Sequence, residues 1–211
     1  MPLNLKTGTF VPFVKYNAKT GRWAARFGED KHEIEFANPR LVFGFDTIQT
    51  GWILFGTTGA PQTQWDPTLT VEAPRPDWDK VKRGFRVLVM GNDALKEARG
   101  QKLGVRELMS NATAMTVSLS AVYEQYEQGR AANPGCLPFV KNTEVNKRTG
   151  NFGAVYEPVF QIVSWVPMSK LDALKEAVAA DHGVDEPPPE PEGAEDDGIP
   201  YENDDDRDIP F

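Results

Sequence analysis

The sequence predicts a mainly β protein, an antiparallel barrel or sandwich with one helical insertion, followed by a disordered acidic C-terminal tail. Three observations carry that expectation. Short runs rich in Val, Ile, Phe and Trp recur through residues 1–180 and are punctuated by turn residues. One long stretch in the second half carries apolar residues at the three-to-four spacing of a helix. From Asp181 onward the chain is Pro, Glu, Asp and Gly with few large apolar side chains, too few to bury a core of its own.

The elements follow in order. Phe10 to Tyr16 is apolar and β-prone, Asn17 to Gly21 is turn chemistry, and Arg22 to Phe27 is the return strand of a hairpin. Further strands are expected at Arg40–Asp46, Gly51–Phe55, Phe85–Met90 and Gly153–Val166. Pro61, Pro67, Pro74 and Pro76 mark Gly59–Trp78 as a long loop, or a loop plus an edge strand. Leu108, Ala112, Met115, Leu119, Val122 and Tyr126 form an apolar stripe that predicts a helix over about 105–128. Gly129 and Asn133-Pro134-Gly135 end it. A second helix is expected over Lys170–Ala180, with Ser169 and Asp172 as a capping box.

Pro12-Phe13-Val14-Lys15, then Lys19-Thr20-Gly21 and Trp23, is echoed by Pro138-Phe139-Val140-Lys141, then Arg148-Thr149-Gly150 and Phe152. Each reads as a strand, a basic turn and a returning aromatic. The two hairpins are expected as arms flanking one groove.

Charge divides the chain. Residues 1–180 hold 22 Lys and Arg against 18 Asp and Glu, a net of +4, whereas residues 181–211 hold one Arg against 13 acids, a net of −12. A mildly basic body able to bind polyanions therefore carries an acidic tail that competes for the same surface. The single Cys136 excludes an intrachain disulfide, and with only His32 and His182 beside it the ligands for a zinc site are lacking. No apolar run approaches membrane-spanning length and no signal-peptide pattern opens the chain, so it reads as soluble and cytoplasmic. A Gly-rich phosphate loop, a His-Glu-x-x-His and a Cys-x-x-Cys are all missing. The carboxylate pairs Asp77/Asp79 and Glu33/Glu35 are of a kind common on protein surfaces. No catalytic residue, metal or cofactor is assigned.

The chain printed here closes on Asp204-Asp205-Asp206-Arg207-Asp208-Ile209-Pro210-Phe211. An apolar Ile-Pro-Phe with its own carboxylate, behind an aspartate run, is suited to a pocket with a basic rim. Asp196-Asp197-Gly198-Ile199-Pro200-Tyr201 nearly repeats it. This end resembles the C-terminal tip of the bacterial single-stranded DNA-binding (SSB) proteins, with Arg207 as a departure. The resemblance covers Asp204 to Asp206 and Asp208 to Phe211 and does not extend into the body. It implies an OB-fold-like barrel over 1–180, an acidic linker over 181–200 and a partner-binding tip over 201–211. It also implies recruitment of a helicase, primase, polymerase, nuclease or recombination enzyme. For a phage-encoded chain the place of action is the host cytoplasm.

Single-strand binding needs cations along a groove and flat side chains on which bases stack. Phosphate contacts are expected from Lys15, Lys19, Arg22, Arg26, Arg83, Arg86, Lys141, Lys147 and Arg148. Stacking is expected from Tyr16, Trp65, Phe152 and Tyr156, with Trp23 and Trp52 as further candidates. In Arg22–Phe27, strand alternation puts Arg22, Ala24 and Arg26 on one face and Trp23, Ala25 and Phe27 on the other, which favours core for the aromatic side. The expected activity is coating of single-stranded DNA with little sequence preference, as a monomer or small homo-oligomer. The alternatives are a nuclease or a strand-annealing mediator that uses the tip to dock, and an adaptor with no nucleic-acid role.

Overall fold

The computed structural model describes residues 12–27, 32–56, 60–150, 153–174 and 176. Phe152 and the whole of 181–211, the acidic tip included, lie outside the described residues. The first hairpin pairs β1 (Phe13–Asn17) with β2 (Arg22–Ala25). Its turn is closed by the Thr20 and Gly21 N–H groups, which both donate to the Asn17 carbonyl at 3.1 and 2.8 Å. The Asn17 side chain accepts from the Lys19 N–H at 2.9 Å. Gly21 has φ +70°, a conformation that glycine adopts at no steric cost. β3 (Ile34–Phe36) adds to the free edge of β2.

The two strands expected at Arg40–Asp46 and Gly51–Phe55 are one strand, β4 (Arg40–Leu54). Its register against β6 (Lys82–Ala94) shifts between Gly44 and Gln49. Within that bulge Thr47 turns inward. Its hydroxyl donates to the Gly44 carbonyl at 2.8 Å and accepts from the Leu88 N–H at 3.0 Å. A β-bulge bends a strand without breaking it, which keeps β4 continuous. The Pro-rich segment contains one short strand on β4, β5 (Gln62–Trp65), the edge strand allowed for in the sequence.

The long helix starts later than its apolar stripe suggests. Residues Lys102–Ser110 form β7, and α1 covers Thr113–Gly129. Leu108, counted into the stripe, lies between Val87 of β6 and Val14 of β1 and is fully buried. Sheet pairing on both sides outweighs local helical spacing there. The Ser110 hydroxyl accepts the Ala112 N–H at 3.2 Å where the chain leaves the strand. Met115, Leu119, Val122 and Tyr126 are buried as the stripe requires. The helix ends at Gly129, whose carbonyl accepts from the Asn133 side chain at 2.9 Å. After a 3-10 turn (Arg130–Ala132), β8 (Cys136–Gly150) and β9 (Gly153–Pro167) form a long hairpin.

The sheet runs β3-β2-β1-β7-β6-β4-β8-β9, with β5 branching from β4. One edge of β4 serves two neighbours, β8 at Arg40–Val42 and β5 at Gly51–Leu54. The result is a mainly β protein whose sheet curls into a half-barrel with a helical insertion. Every pairing among the named strands is antiparallel except that of β1 with β7, which is parallel. That one pair departs from the all-antiparallel expectation.

The main core lies beneath α1 and is dominated by Trp23, Phe36, Phe43, Phe85, Leu108 and Met115. A second cluster of Val42, Leu88, Met90 and Leu137 is covered by Leu171 and Leu174. These two follow a 3-10 turn (Met168–Lys170), and helical backbone occupies Asp172–Leu174, where a helix from Lys170 was expected. Leu174 is 0% exposed, which contributes about 2 kcal/mol of apolar burial. Residues 177–180 of the expected helix lie outside the described residues. The Gln125 amide covers the outer edge of β9, donating to the Phe160 carbonyl at 3.5 Å and accepting from the Ile162 N–H at 3.4 Å. Among the described residues no helix is long and apolar enough to cross a membrane.

Candidate nucleic-acid interface

The fold draws the two echoed hairpins into contact, where the sequence suggested arms on either side of a groove. The Tyr156 N–H on β9 donates to the Ala18 carbonyl in the β1–β2 turn at 2.7 Å. The Tyr16 hydroxyl donates to the Tyr156 carbonyl at 3.2 Å. A Cβ on Gly21 would lie 3.2 Å from the Tyr156 side chain, so glycine fits the contact as well as the turn. Burial, with the Glu157 charge adding to it, pushes the Tyr16 phenol up to about 12.

Basic side chains surround this junction. Lys19 is exposed on the first turn. Lys147 sits directly across from Tyr156, its ammonium 5.8 Å from the ring centre. Arg148 is exposed and pairs with Glu157 at 2.9 Å. Lys15 is exposed and paired with Glu33 at 2.6 Å, and Arg22 approaches Glu35 at 4.0 Å. These acids partly neutralise the outer face of β1 and β2. Arg26 is exposed, and its carbonyl accepts at 3.4 Å from Arg106, a half-buried cation that the sequence did not single out. Lys141 is exposed farther along β8, across from Arg40.

Trp23 is a correction. It is 0% exposed and packed edge-on against Tyr16 at 5.3 Å and near Phe160 at 6.1 Å. Strand alternation turned its face into the core, as the Arg22–Phe27 pattern required, and a base cannot reach it in this conformation.

Trp52, Trp65, Arg83 and Arg86 form a separate group on β4, β5 and β6, and they divide between two sheet faces. Trp52 lies across from Arg83, whereas Trp65 and Gly84 lie across from Gly51, one residue along. Adjacent strand residues point to opposite faces, so the two indoles do not make one platform. A Cβ on Gly51 would meet the Gln64 carbonyl at 2.4 Å and the Trp65 ring at 3.0 Å, so only glycine fits there.

Arg83 and Arg86 are both engaged with carboxylates. Arg83 makes a two-pronged pair with Asp66, at 2.7 and 2.5 Å. Asp66 also accepts from the Thr50 hydroxyl and the Ala73 N–H, and its side chain is 3% exposed. The Arg83 hydrogen bonds hold the Asp66 carboxyl far below the usual carboxylate range against the opposing effect of burial. Arg83 rises correspondingly. Arg86 donates to Gln49 at 2.7 Å and lies 3.5 Å from Glu107. Carboxylates thus hold both partly exposed guanidiniums against the sheet. The guanidiniums of Arg83 and Arg75 lie 5.2 and 5.7 Å from the Trp52 ring centre, and its indole N–H donates to Ala73 at 2.9 Å. Arg86 stands 5.3 Å from the Trp65 ring centre. This group pins the 66–78 segment to the sheet. Asp66 and Arg75 escaped the sequence reading because a Pro-rich loop gives no sign of which strand will receive its side chains.

The structure therefore brings together Lys15, Tyr16, Lys19, Arg22, Lys147, Arg148 and Tyr156 on two touching hairpins, with exposed Arg26 and Lys141 on the same strands' continuations. Phe152 and the tip residues Asp204, Asp205, Asp206, Asp208, Ile209, Pro210 and Phe211 lie outside the described residues. Compared with known proteins, the chain matches no protein-family model, no curated protein and no solved structure.

Proposed function

We propose that this chain binds single-stranded DNA with little sequence preference and recruits replication, recombination or repair enzymes through its acidic tip. One juxtaposition carries the reading. Two basic hairpins meet at Tyr156, so that Lys147 stands over one partly exposed ring and exposed Lys19 lies on the turn that touches it. Cations beside a flat side chain are what a sequence-tolerant single-strand site needs. The curled, partly open sheet with its helical insertion is read as a divergent OB-like barrel. No cofactor takes part. At the tip, Ile209, Pro210 and Phe211 enter an apolar pocket of the partner, and the aspartates engage a basic rim.

Fluorescence anisotropy of a labelled oligo-dT, set against duplex of equal length across a salt series, tests the DNA half. The expected result is strong preference for the single strand and a log–log salt slope that reports several phosphate contacts. Equal binding to both, or binding to neither, overturns it. Loss of partner capture on deleting Asp208 to Phe211, with DNA binding kept, is the expected result for the tip.

A further inference from the structure

The bulge in β4 does more than bend the strand. Within it Phe45 and Thr47 face inward and Asp46 is exposed between them. The C-terminal half of α1 lies alongside. The Tyr126 hydroxyl donates to Asp46 Oδ1 at 3.3 Å, and Tyr123 packs edge-on against Phe45 at 5.3 Å between ring centres. Arg130 follows, paired with Glu127 at 3.1 Å. A cleft of about 400 Å³ opens between the bulge, Tyr123, Arg130 and the Pro67–Leu69 turn. A second, of about 420 Å³, lies on the other side and reaches Tyr126 and Cys136; Asp46 and Arg130 line both.

The chemistry of this place differs from that of the basic hairpins. A carboxylate offers about four acceptor positions, and one here is used by Tyr126. Among the described residues no cation is ion-paired with Asp46. The carboxylate, with Tyr126 on one of these positions, lines both clefts. A ligand that suits the site brings a flat apolar ring for Tyr123 and N–H donors for Asp46. Asp46 and Glu127 repel a bare anion, and they repel the aspartate-rich tip of this chain as well. The volume lies at the small end of ligand sites.

We propose that this cleft takes one unstacked guanine of the bound strand. The base lies against Tyr123, its N1–H and N2–H donate together to the Asp46 carboxylate, and the adjoining phosphate lies toward Arg130. Guanine is singled out because it presents two parallel N–H donors on one edge. Cytosine and adenine present the amine alone. Thymine presents one N–H between two carbonyl oxygens, which face the carboxylate's lone pairs. Base edges of single strands are commonly read in this way, by an aromatic surface and a fixed polar group. The inference rests on the single-strand reading and adds a base preference to a coat otherwise indifferent to sequence.

The test uses the full chain, an oligo-dT and the same oligomer with one central guanine. The guanine is expected to strengthen binding by about tenfold, the lower part of the range for a two-bond base contact. Asp46→Asn keeps the shape and an acceptor for Tyr126 while exchanging one oxygen for a donor. It is expected to bind both oligomers alike with an unchanged melting temperature. A wild-type protein that does not distinguish the oligomers overturns the site, as does an Asp46→Asn protein that still does. An NMR titration with dGMP and with TMP separates this failure from that of the coating reading. Amide shifts confined to the surroundings of Asp46, Tyr123 and Arg130 with dGMP support the site even where oligo-dT does not bind. With no such shifts and no guanine preference, the site is rejected and strand coating stands or falls by its own titration.

Discussion

Tyr16 and Tyr156, 140 positions apart, hold the seam of the half-barrel: the Tyr16 hydroxyl donates to the Tyr156 carbonyl at 3.2 Å. One residue of this pair also supplies the second bond, since the Tyr156 N–H donates to Ala18 at 2.7 Å. Tyr16→Phe removes the first bond and keeps the ring against Trp23. It is expected to cost about 1 kcal/mol, a typical net worth of one hydrogen bond, read as a lower midpoint in urea unfolding. An unchanged midpoint would show that the seam is held without it.

The same phenol has a pH signature. Its folded value is raised from 10.0 to about 12, so the folded state holds this proton more tightly than the unfolded chain. The corresponding stability is complete below pH 10 and drains as pH rises toward 12. Stability curves of the wild type are expected to fall more steeply across that window than those of Tyr16→Phe. Parallel curves would contradict the assignment.

Asp66 makes the opposite prediction at the acid end. Its folded value lies far below the ordinary 3.8, so its contribution is complete above that value and is lost progressively as the pH falls below it. Asp66→Asn is expected to destabilise the protein by about 2 kcal/mol at neutral pH, in the range for hydrogen bonds to a charged group. The variant should also show a shallower acid limb than the wild type. Urea melts between pH 2 and 7 read both.

The hairpin cations and the sheet cations are expected to separate in binding experiments. Lys19→Gln and Lys147→Gln should each lower the salt slope of oligo-dT binding by about one, with little change in melting temperature. Arg83→Gln should lower the melting temperature instead, because it takes the cation away from the buried Asp66 carboxylate, and Arg86→Gln should lower it by removing the hydrogen bond to Gln49. A salt slope that follows Arg83 or Arg86 would move the interface to the β4–β6 end.

Deletion of residues 181–211 removes a net charge of −12 from a body of net +4. Oligo-dT affinity is expected to rise, most at low ionic strength, because the tail then no longer competes for the cationic surface. Equal affinities at low salt would show that the tail does not lie on that surface.

The first hairpin was legible residue by residue, because alternation in Arg22–Phe27 separates two faces and Gly21 fixes the turn. The buried stripe from Met115 to Tyr126 was equally plain. The start of α1 was not, since Leu108 fits a helical spacing and a strand alike and only its neighbours Val14 and Val87 decide. The meeting of the two echoed hairpins was hidden because spacing says nothing of which edges touch across a curled sheet. The outward side of Asp46 follows from alternation between Phe45 and Thr47, but the approach of Tyr123, Tyr126 and Arg130 from α1 was not legible, since it depends on where the helix packs. Arg83 and Arg86 looked like phosphate ligands because their carboxylate partners lie far along the chain, in a loop for Asp66 and on β7 for Glu107.

The parallel pairing of β1 with β7 has a consequence for how the chain is made. Phe13 and Val14 lie beside Glu107 and Leu108, about ninety residues later. While the protein is being synthesised, the β1–β3 meander precedes β7, its neighbour on the β1 side among the described strands. It must wait through the whole of β4, β5 and β6 with the apolar side of Trp23 and Phe36 unsheltered. Its docking is a long-range closure, the slow kind of step in β topologies. The N-terminal hairpin is thus made well before the strand it docks on and is seated only once β7 has followed.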